Sequence, residues 1–144
     1  MIDTNVSPST ENDRRCRLSL PTALAAAQTA SDLRGREIVL LDMRQVTSIF
    51  DYFVIVTGTS RRQLHAMSEE IDRRLEQELG ERRLGIEGYA ESRWILLDYG
   101  SVVVHLFDEP TRRYFALEDL WASAGQVPWT PDAPPGDRAS PAHA

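Results

Sequence analysis

The order of hydrophobic and polar positions divides the middle of the chain into extended and helical segments. Residues 53–56 (Phe-Val-Ile-Val) form an unbroken apolar run, which is typical of a strand covered on both faces of its sheet. After Gly58, apolar residues recur at helical spacing from Leu64 to Leu79, with charged residues between them. The pattern therefore predicts a central strand, a sharp corner and an amphipathic helix.

The corner between strand and helix has residues suited to its geometry. Gly58 allows a sharp turn of the backbone. Ser60 and Gln63 fit the Ser-x-x-Gln capping box, in which each side chain accepts a hydrogen bond from the backbone N–H of the other residue. We therefore expect the helix to begin at Arg61. Corners of this kind often carry the binding or catalytic groups of α/β proteins.

The same criteria predict the remaining elements of the domain. They are a helix opened by Pro21 over 20–33, a strand over 38–41, an extended piece over 86–91, strands over 94–97 and 102–107, and a last helix over 111–124. The strands around residues 98–101 should form a hairpin, because Gly100 can adopt a left-handed turn conformation. The order α-β-β-α-β-β-β-α predicts an α/β fold, a small mixed β-sheet flanked by helices.

Composition indicates one domain with two tails. A chain of 144 residues with 42% hydrophobic content can bury a core without disulfides or metals. Residues 1–17 are polar and charged, and residues 126–144 are rich in proline, so both segments are predicted to be disordered. The folded domain is expected to span residues 18–125.

Charge and cysteine content limit the partners and the compartment. A formal net charge of −6 argues against a DNA-binding or other nucleic-acid-binding protein and favours a basic partner. Cys16 is the single cysteine, so neither a disulfide framework nor a structural zinc site is expected. The sequence has no apolar stretch of transmembrane length and no signal-peptide pattern at its start. We expect a cytoplasmic protein that does not insert into a membrane.

The sequence contains few residues in patterns that would indicate an enzyme. A nucleotidyltransferase would need the Gly58 corner together with carboxylates that alternate on one strand face and hold metal ions. Asp42 and Asp98 each lack a second carboxylate two residues further on. His105 lies in an apolar strand, where a hydrogen-bonded core residue is favoured over a general base. We expect no catalytic residue, no metal and no cofactor.

Aromatic and charged residues near the predicted hairpin are better candidates for function. If the last three strands are neighbours, seven residues should lie together: Glu87, Gly88, Trp94, Asp98, Tyr99, Gly100 and Arg112. Aromatic side chains and arginine at a polar margin are typical anchors of protein interfaces. These residues form the predicted binding surface.

Five segments together resemble the ribosomal silencing factor family, also called RsfS or Iojap-like proteins. They are residues 51–60 (DYFVIVTGTS), 87–88 (EG), 94–100 (WILLDYG), 103–107 (VVHLF) and 112–121 (RRYFALEDLW). The resemblance covers roughly residues 20–124 in the order and spacing of the family, and both tails fall outside it.

The resemblance implies a nucleotidyltransferase-like fold without transferase activity. Such proteins bind the large ribosomal subunit through ribosomal protein uL-fourteen and sterically block association with the small subunit, which represses translation under nutrient limitation. It also implies that the seven residues named above contact the ribosomal protein, with Arg112 as either a structural or a contact residue.

Other functions stay open at the level of sequence. A factor in large-subunit biogenesis would use the same docking site at a different time. A nucleotide-binding enzyme would use Gly58 and Ser60 with Asp98. An exposed apolar binding face can also pair with itself, which leaves open a homodimer of the free protein.

Overall fold

The fold is built around two parallel strands, β2 (Tyr52–Gly58) and β5 (Val102–Asp108). In the computed structural model, which describes residues 8–132 and the side chains of residues 19–132, Tyr52 pairs with Val102 and Gly58 with Asp108. Every residue of β2 is buried, as are all of β5 except its last. The prediction of a central strand covered on both faces is confirmed.

Four further strands complete a six-stranded mixed sheet in the order β3-β4-β5-β2-β1-β6. They are β1 (Arg36–Asp42), β3 (Gly85–Glu87), β4 (Trp94–Asp98) and β6 (Gly125–Val127). These four strands pair antiparallel to their neighbours. The predicted hairpin joins β4 to β5, and Gly100 in its turn has a φ of +90°. The predicted fold class, a mixed sheet with helices, is therefore correct.

Two long helices cover one face of the sheet, α1 (Pro8–Asp32) and α2 (Arg61–Leu79). The inward side of α1 consists of small residues, which allow its backbone to approach the sheet closely, whereas α2 contributes larger apolar side chains. The fully buried residues of the two helices are Ala23, Ala26, Ala27, Ala30, Leu64, Met67, Ile71 and Leu75. Burying each larger side chain stabilises the fold by about 1.5–3 kcal/mol.

The opposite face of the sheet has a smaller cover. Two short helices, α3 (Glu109–Phe115) and α4 (Leu117–Leu120), lie near one end of it, and the loop after β1 packs beside them through Met43 and Phe50. The sequence predicted one helix over 111–124. Ala116 interrupts it, because its φ of +44° and ψ of 54° are left-handed and cannot continue a right-handed helix.

The two ends of the chain differ from the sequence prediction. α1 begins at Pro8, so it contains Pro21 instead of starting there, and it includes part of the segment 1–17 that was assigned to a leader. At the other end, β6 pairs with β1 and Trp129 packs on the main core, so residues 126–132 do not form a free tail. The remaining parts of the two predicted tails, residues 1–7 and 133–144, lie outside the described residues.

The start of α2 shows half of the predicted capping box. The Ser60 side chain accepts a hydrogen bond from the backbone N–H of Gln63 at 3.1 Å. The Gln63 side chain does not return to Ser60. Its Oε1 accepts from the Thr59 backbone N–H at 2.6 Å, and its Nε2 donates to the carbonyl oxygens of Leu33 and Arg34, each at 3.0 Å. Gln63 therefore ties the start of α2 to the end of α1.

Replacing Ser60 with alanine tests the cap. We expect Ser60→Ala to lower the free energy of unfolding by about 1 kcal/mol, because the Gln63 N–H loses its acceptor. Ser60→Asp is the matched control and should keep most of that stability, since aspartate also caps helices. Urea unfolding followed by circular dichroism measures both. Equal unfolding midpoints for Ser60→Ala and the unmodified protein would show that the Ser60 cap adds no stability and that the hydrogen bonds of Gln63 stabilise the start of α2 instead.

Candidate interaction face

The sheet face opposite α1 and α2 is the main candidate site, and we call it the open face. The strand register places alternate residues of four neighbouring strands on this face. They are Phe53, Ile55, Glu87, Trp94, Leu96, Asp98, Val103, His105 and Phe107. Because α3 and α4 cover only one end, side chains of β3 and β4 remain accessible: Glu87 is exposed, and Trp94, Leu96 and Asp98 are half-buried.

Three of the seven predicted contact residues lie on the open face: Glu87, Trp94 and Asp98. They do not form the single tight cluster that the sequence predicted. Trp94 and Asp98 are at opposite ends of β4, about 13 Å apart along the strand. Gly100 follows in the turn, where its N–H donates to the Asp98 Oδ1 at 2.8 Å. Asp98 and Trp94 therefore lie at separate ends of the face, and Glu87, opposite Leu96, lies between them.

Gly88 shapes the open face instead of presenting a group on it. Its φ is +78°, a conformation that residues with a side chain rarely adopt. A Cβ at this position would collide with the carbonyl oxygen of Trp94. Gly88 therefore permits the close approach of the chain after β3 to the start of β4.

Tyr99 belongs to the core on the helical side, which corrects its assignment as a surface contact. Its ring is 6% exposed and packs with the core beneath α1 and α2. The hydroxyl donates a hydrogen bond to the Asp72 carboxylate on α2, and Arg83 pairs with the same carboxylate. Burial, followed by the bond to Asp72, raises the pKa of Tyr99. A docking partner would not reach this side chain.

Arg112 is also internal, in agreement with the structural alternative for this residue. It is 5% exposed, and its guanidinium donates to the Glu37 carbonyl oxygen and to the Thr57 Oγ1, the latter at 2.9 Å. Its Nε donates to Glu118 on α4 at 3.2 Å. One side chain therefore joins α3 to β1, β2 and α4, and it fixes the partial cover of the open face.

His105 lies at the centre of the open face. Its ring is 4% exposed and makes an edge contact with Phe53, with 4.7 Å between ring centroids. Trp94 Nε1–H donates to its Nδ1 at 3.1 Å. Burial lowers the pKa of His105 to about 3, so the ring is neutral at physiological pH. The sequence prediction of a buried, hydrogen-bonded histidine is confirmed.

Exposed apolar side chains occur on the elements that flank the open face. Tyr114 is 83% exposed, Leu120 70%, Ile49 67% and Phe115 47%. The single helix predicted over 111–124 was wrong, and the break at Ala116 leaves Tyr114 and Leu120 exposed. Phe115 contacts Trp94 at an interplanar angle of 51°, with 4.9 Å between ring centroids, which extends the aromatic surface from β4 to α3. A local signal existed: residues 114–121 contain more apolar side chains than one helix face can bury.

The residues proposed for a nucleotide-binding enzyme do not come together. Gly58 and Ser60 border a cavity of about 450 Å³ at the carboxyl end of β2, next to Asp108. Asp98 pairs with Val103, at the other end of β5, about 17 Å along the strand from Asp108. Within residues 8–132, no group of three or more His, Cys, Asp or Glu side chains could hold a metal ion, and no helix is long and apolar enough to cross a membrane.

A family model and several known proteins match this chain. A family model described as "Ribosomal silencing factor during starvation" matches residues 18–144, which extends beyond the segment 20–124 that carries the resemblance. The ribosomal silencing factor RsfS of Bacillus subtilis is 39% identical over 99 residues, covering 69% of this chain and 83% of that protein. The chloroplastic protein Iojap of Arabidopsis thaliana is 32% identical over 124 residues, covering 84% of this chain and 50% of that protein.

A solved structure shows the same architecture. The crystal structure of a protein from Chromobacterium violaceum superimposes with a TM-score of 0.69 at 32% sequence identity. The superposition covers 81% of this chain and 94% of the other. The mixed sheet with its helices is therefore shared with that protein.

The internal role of Arg112 gives a stability prediction. We expect Arg112→Ala to lower the free energy of unfolding by about 3 kcal/mol, because it leaves Thr57, Glu118 and the Glu37 carbonyl without their donor in a buried site. The matched control is Arg113→Ala, whose side chain is 78% exposed and should change stability by less than about 0.5 kcal/mol. Urea unfolding measures both variants. Equal effects would contradict the internal role.

Proposed function

Because the chain belongs to the ribosomal silencing factor family, we propose that it is a non-enzymatic repressor of translation in the cytoplasm. In this proposal it binds the large ribosomal subunit through ribosomal protein uL-fourteen and blocks association with the small subunit when nutrients are limiting. The open face is the docking surface. The observation that carries this assignment is a sheet face left half-covered, with aromatic anchors at one end, Asp98 at the other and Glu87 between them.

The aromatic end of the open face has the character of an interface anchor. Trp94 contacts Phe107 and Phe115, with centroid distances of 4.8 and 4.9 Å. Phe115 in turn meets the exposed Tyr114 edge-on at 5.0 Å. Large, rigid aromatic side chains bury much apolar area at a small cost in conformational entropy, so they dominate binding energies when a partner covers them.

The two carboxylates of the open face, Glu87 and Asp98, favour a basic partner. Among the side chains of residues 19–132, neither Glu87 nor Asp98 has an ion-pair partner. The whole chain is also acidic, with a formal net charge of −6. Complementary charge accelerates encounter and selects among partners. Carboxylates without an ion-pair partner among the described side chains are therefore suited to lysine or arginine side chains of a ribosomal protein.

A steric block requires occupancy and no chemical step. A standard protein interface buries about 800 Å² on each partner, which is a small part of this chain's surface of 9009 Å². The rest of the domain then projects from the large subunit and excludes the small one. The buried residues Tyr99 and Arg112 contribute by holding the face in shape.

Co-sedimentation with isolated ribosomal subunits tests the proposal. We expect the protein to migrate with 50S subunits and not with 30S subunits on a sucrose gradient, and to reduce the 70S fraction when 30S subunits are added. Bovine serum albumin serves as the non-binding control. Absence from the 50S fraction would overturn docking. Binding to 50S with an unchanged 70S fraction would overturn the steric block.

Reversal of one carboxylate tests which surface docks. We expect Glu87→Lys to weaken binding to 50S subunits by about tenfold, because a cation would then face the lysine or arginine side chains of the partner. The matched control is Glu78→Lys, which makes the same charge change at an exposed position of α2 on the other side of the sheet. Quantitative pelleting with 50S subunits measures both. Equal weakening by both variants would indicate a nonspecific charge effect and exclude Glu87 as a contact residue.

A further inference from the structure

A cavity of about 400 Å³ lies on the open face. Its walls come from strands β3, β4, β5 and β2 and from the loop after β1. We call it the His105 cavity. It is lined by Phe50, Phe53, Gly85, Ile86, Glu87, Leu96, Asp98, Val103 and His105. Apolar side chains form most of this lining, and Glu87 and Asp98 supply two carboxylates.

The hydrogen bond from Trp94 fixes the tautomer of His105. An indole N–H can only donate, so the Nδ1 that receives it carries no proton. The neutral ring must then carry its proton on Nε2. His105 therefore offers one N–H donor on the side of the ring that Trp94 does not occupy.

That donor has no partner in the part of the chain that the structure describes. Among the residues that the structure describes, Nε2 of His105 is fully buried and makes no hydrogen bond. Trp94 does not line the His105 cavity, whereas Leu96, directly opposite His105 on β4, does. His105 itself lines the cavity, and its Nε2 is covered by neighbouring side chains in the free protein, so a ligand reaches it by displacing that cover. A buried donor without an acceptor is costly, which makes it a specific feature of the free protein that a ligand can satisfy.

The charges around the cavity restrict the acceptor. A carboxylate would be repelled by Glu87 and Asp98, neither of which is neutralised by an ion pair among residues 19–132. Lysine and arginine side chains carry no acceptor atom. The remaining candidates are uncharged oxygens: a backbone carbonyl, a side-chain amide oxygen or a hydroxyl.

We infer that His105 Nε2–H donates a hydrogen bond to an uncharged oxygen of a peptide segment that enters the His105 cavity, with lysine or arginine beside that oxygen to pair with Glu87 and Asp98. The inference rests on the proposed function, in which the segment belongs to the large-subunit ribosomal protein. His105 then acts in specificity. A segment that filled the cavity with hydrocarbon alone would leave the donor unsatisfied and bind less well.

Two substitutions test the roles of the two ring nitrogens of His105 separately. His105→Asn retains an amide oxygen close to the position of Nδ1, where it can accept from Trp94, but it removes the donor at Nε2. His105→Gln extends an amide N–H to the position of Nε2 and loses the acceptor for Trp94. We expect His105→Asn to weaken binding to 50S subunits by about tenfold and His105→Gln to stay within about threefold of the unmodified protein.

The reverse order of affinities would overturn the inference, because it would show that the bond to Trp94 matters and the cavity donor does not. Thermal unfolding of both variants gives the structural comparison. A purely structural role predicts that affinity follows thermal stability in the two variants, whereas the inference predicts that affinity follows the Nε2 donor.

A measurement on the unmodified protein does not depend on how the variants fold. Histidine ¹⁵N spectra should show the Nε2–H tautomer of His105 in the free protein, and that proton should shift downfield when isolated uL-fourteen is added. An Nδ1–H tautomer, or an Nε2–H signal unchanged in the complex, would overturn the inference alone. Failure of the unmodified protein to bind 50S subunits would instead overturn the proposed function.

Discussion

The parallel pairing of β2 with β5 is the constraint on which the rest of the structure depends. Parallel strands cannot be joined by a tight turn, so the chain between them must leave the sheet and return. It does so through α2, which crosses on the same face as α1, and then through β3 and β4. Two long helices are thereby placed on one face. The other face receives only α3, α4 and a loop, and this inequality leaves the open face half-covered.

Strand β5 serves the core and the candidate site through the alternation of its side chains. Val104 and Leu106 pack beneath the long helices, whereas Val103, His105 and Phe107 point to the open face. A shift of one residue in the β2–β5 register would exchange these two sets. The apolar residues that fix the register therefore also determine where His105 lies.

Local patterns predicted the parts of the fold that local forces determine. The uniform apolar run of β2, the helical spacing of α2 and the turn at Gly100 each have a cause within a few residues, and each was predicted correctly. The addition of β6 to the sheet depends on distant contacts, such as the pairing of Leu40 with Val127. The burial of Arg112 likewise depends on Glu37 and Thr57, which no spacing in the sequence connects to it.

The residues that resemble the family divide into two kinds when burial is considered. One kind forms or supports the face. Gly88 does so through a backbone conformation that residues with a side chain rarely adopt, and Tyr99 and Arg112 do so through hydrogen bonds of buried side chains. Glu87 is exposed and Asp98 is half-buried, so their carboxylates are the groups that the proposed partner could reach. A substitution of the first kind changes binding by deforming the surface and therefore also changes stability, whereas one of the second kind changes binding alone. Because a sequence motif contains both kinds without distinction, exposure decides which of its residues can make contact.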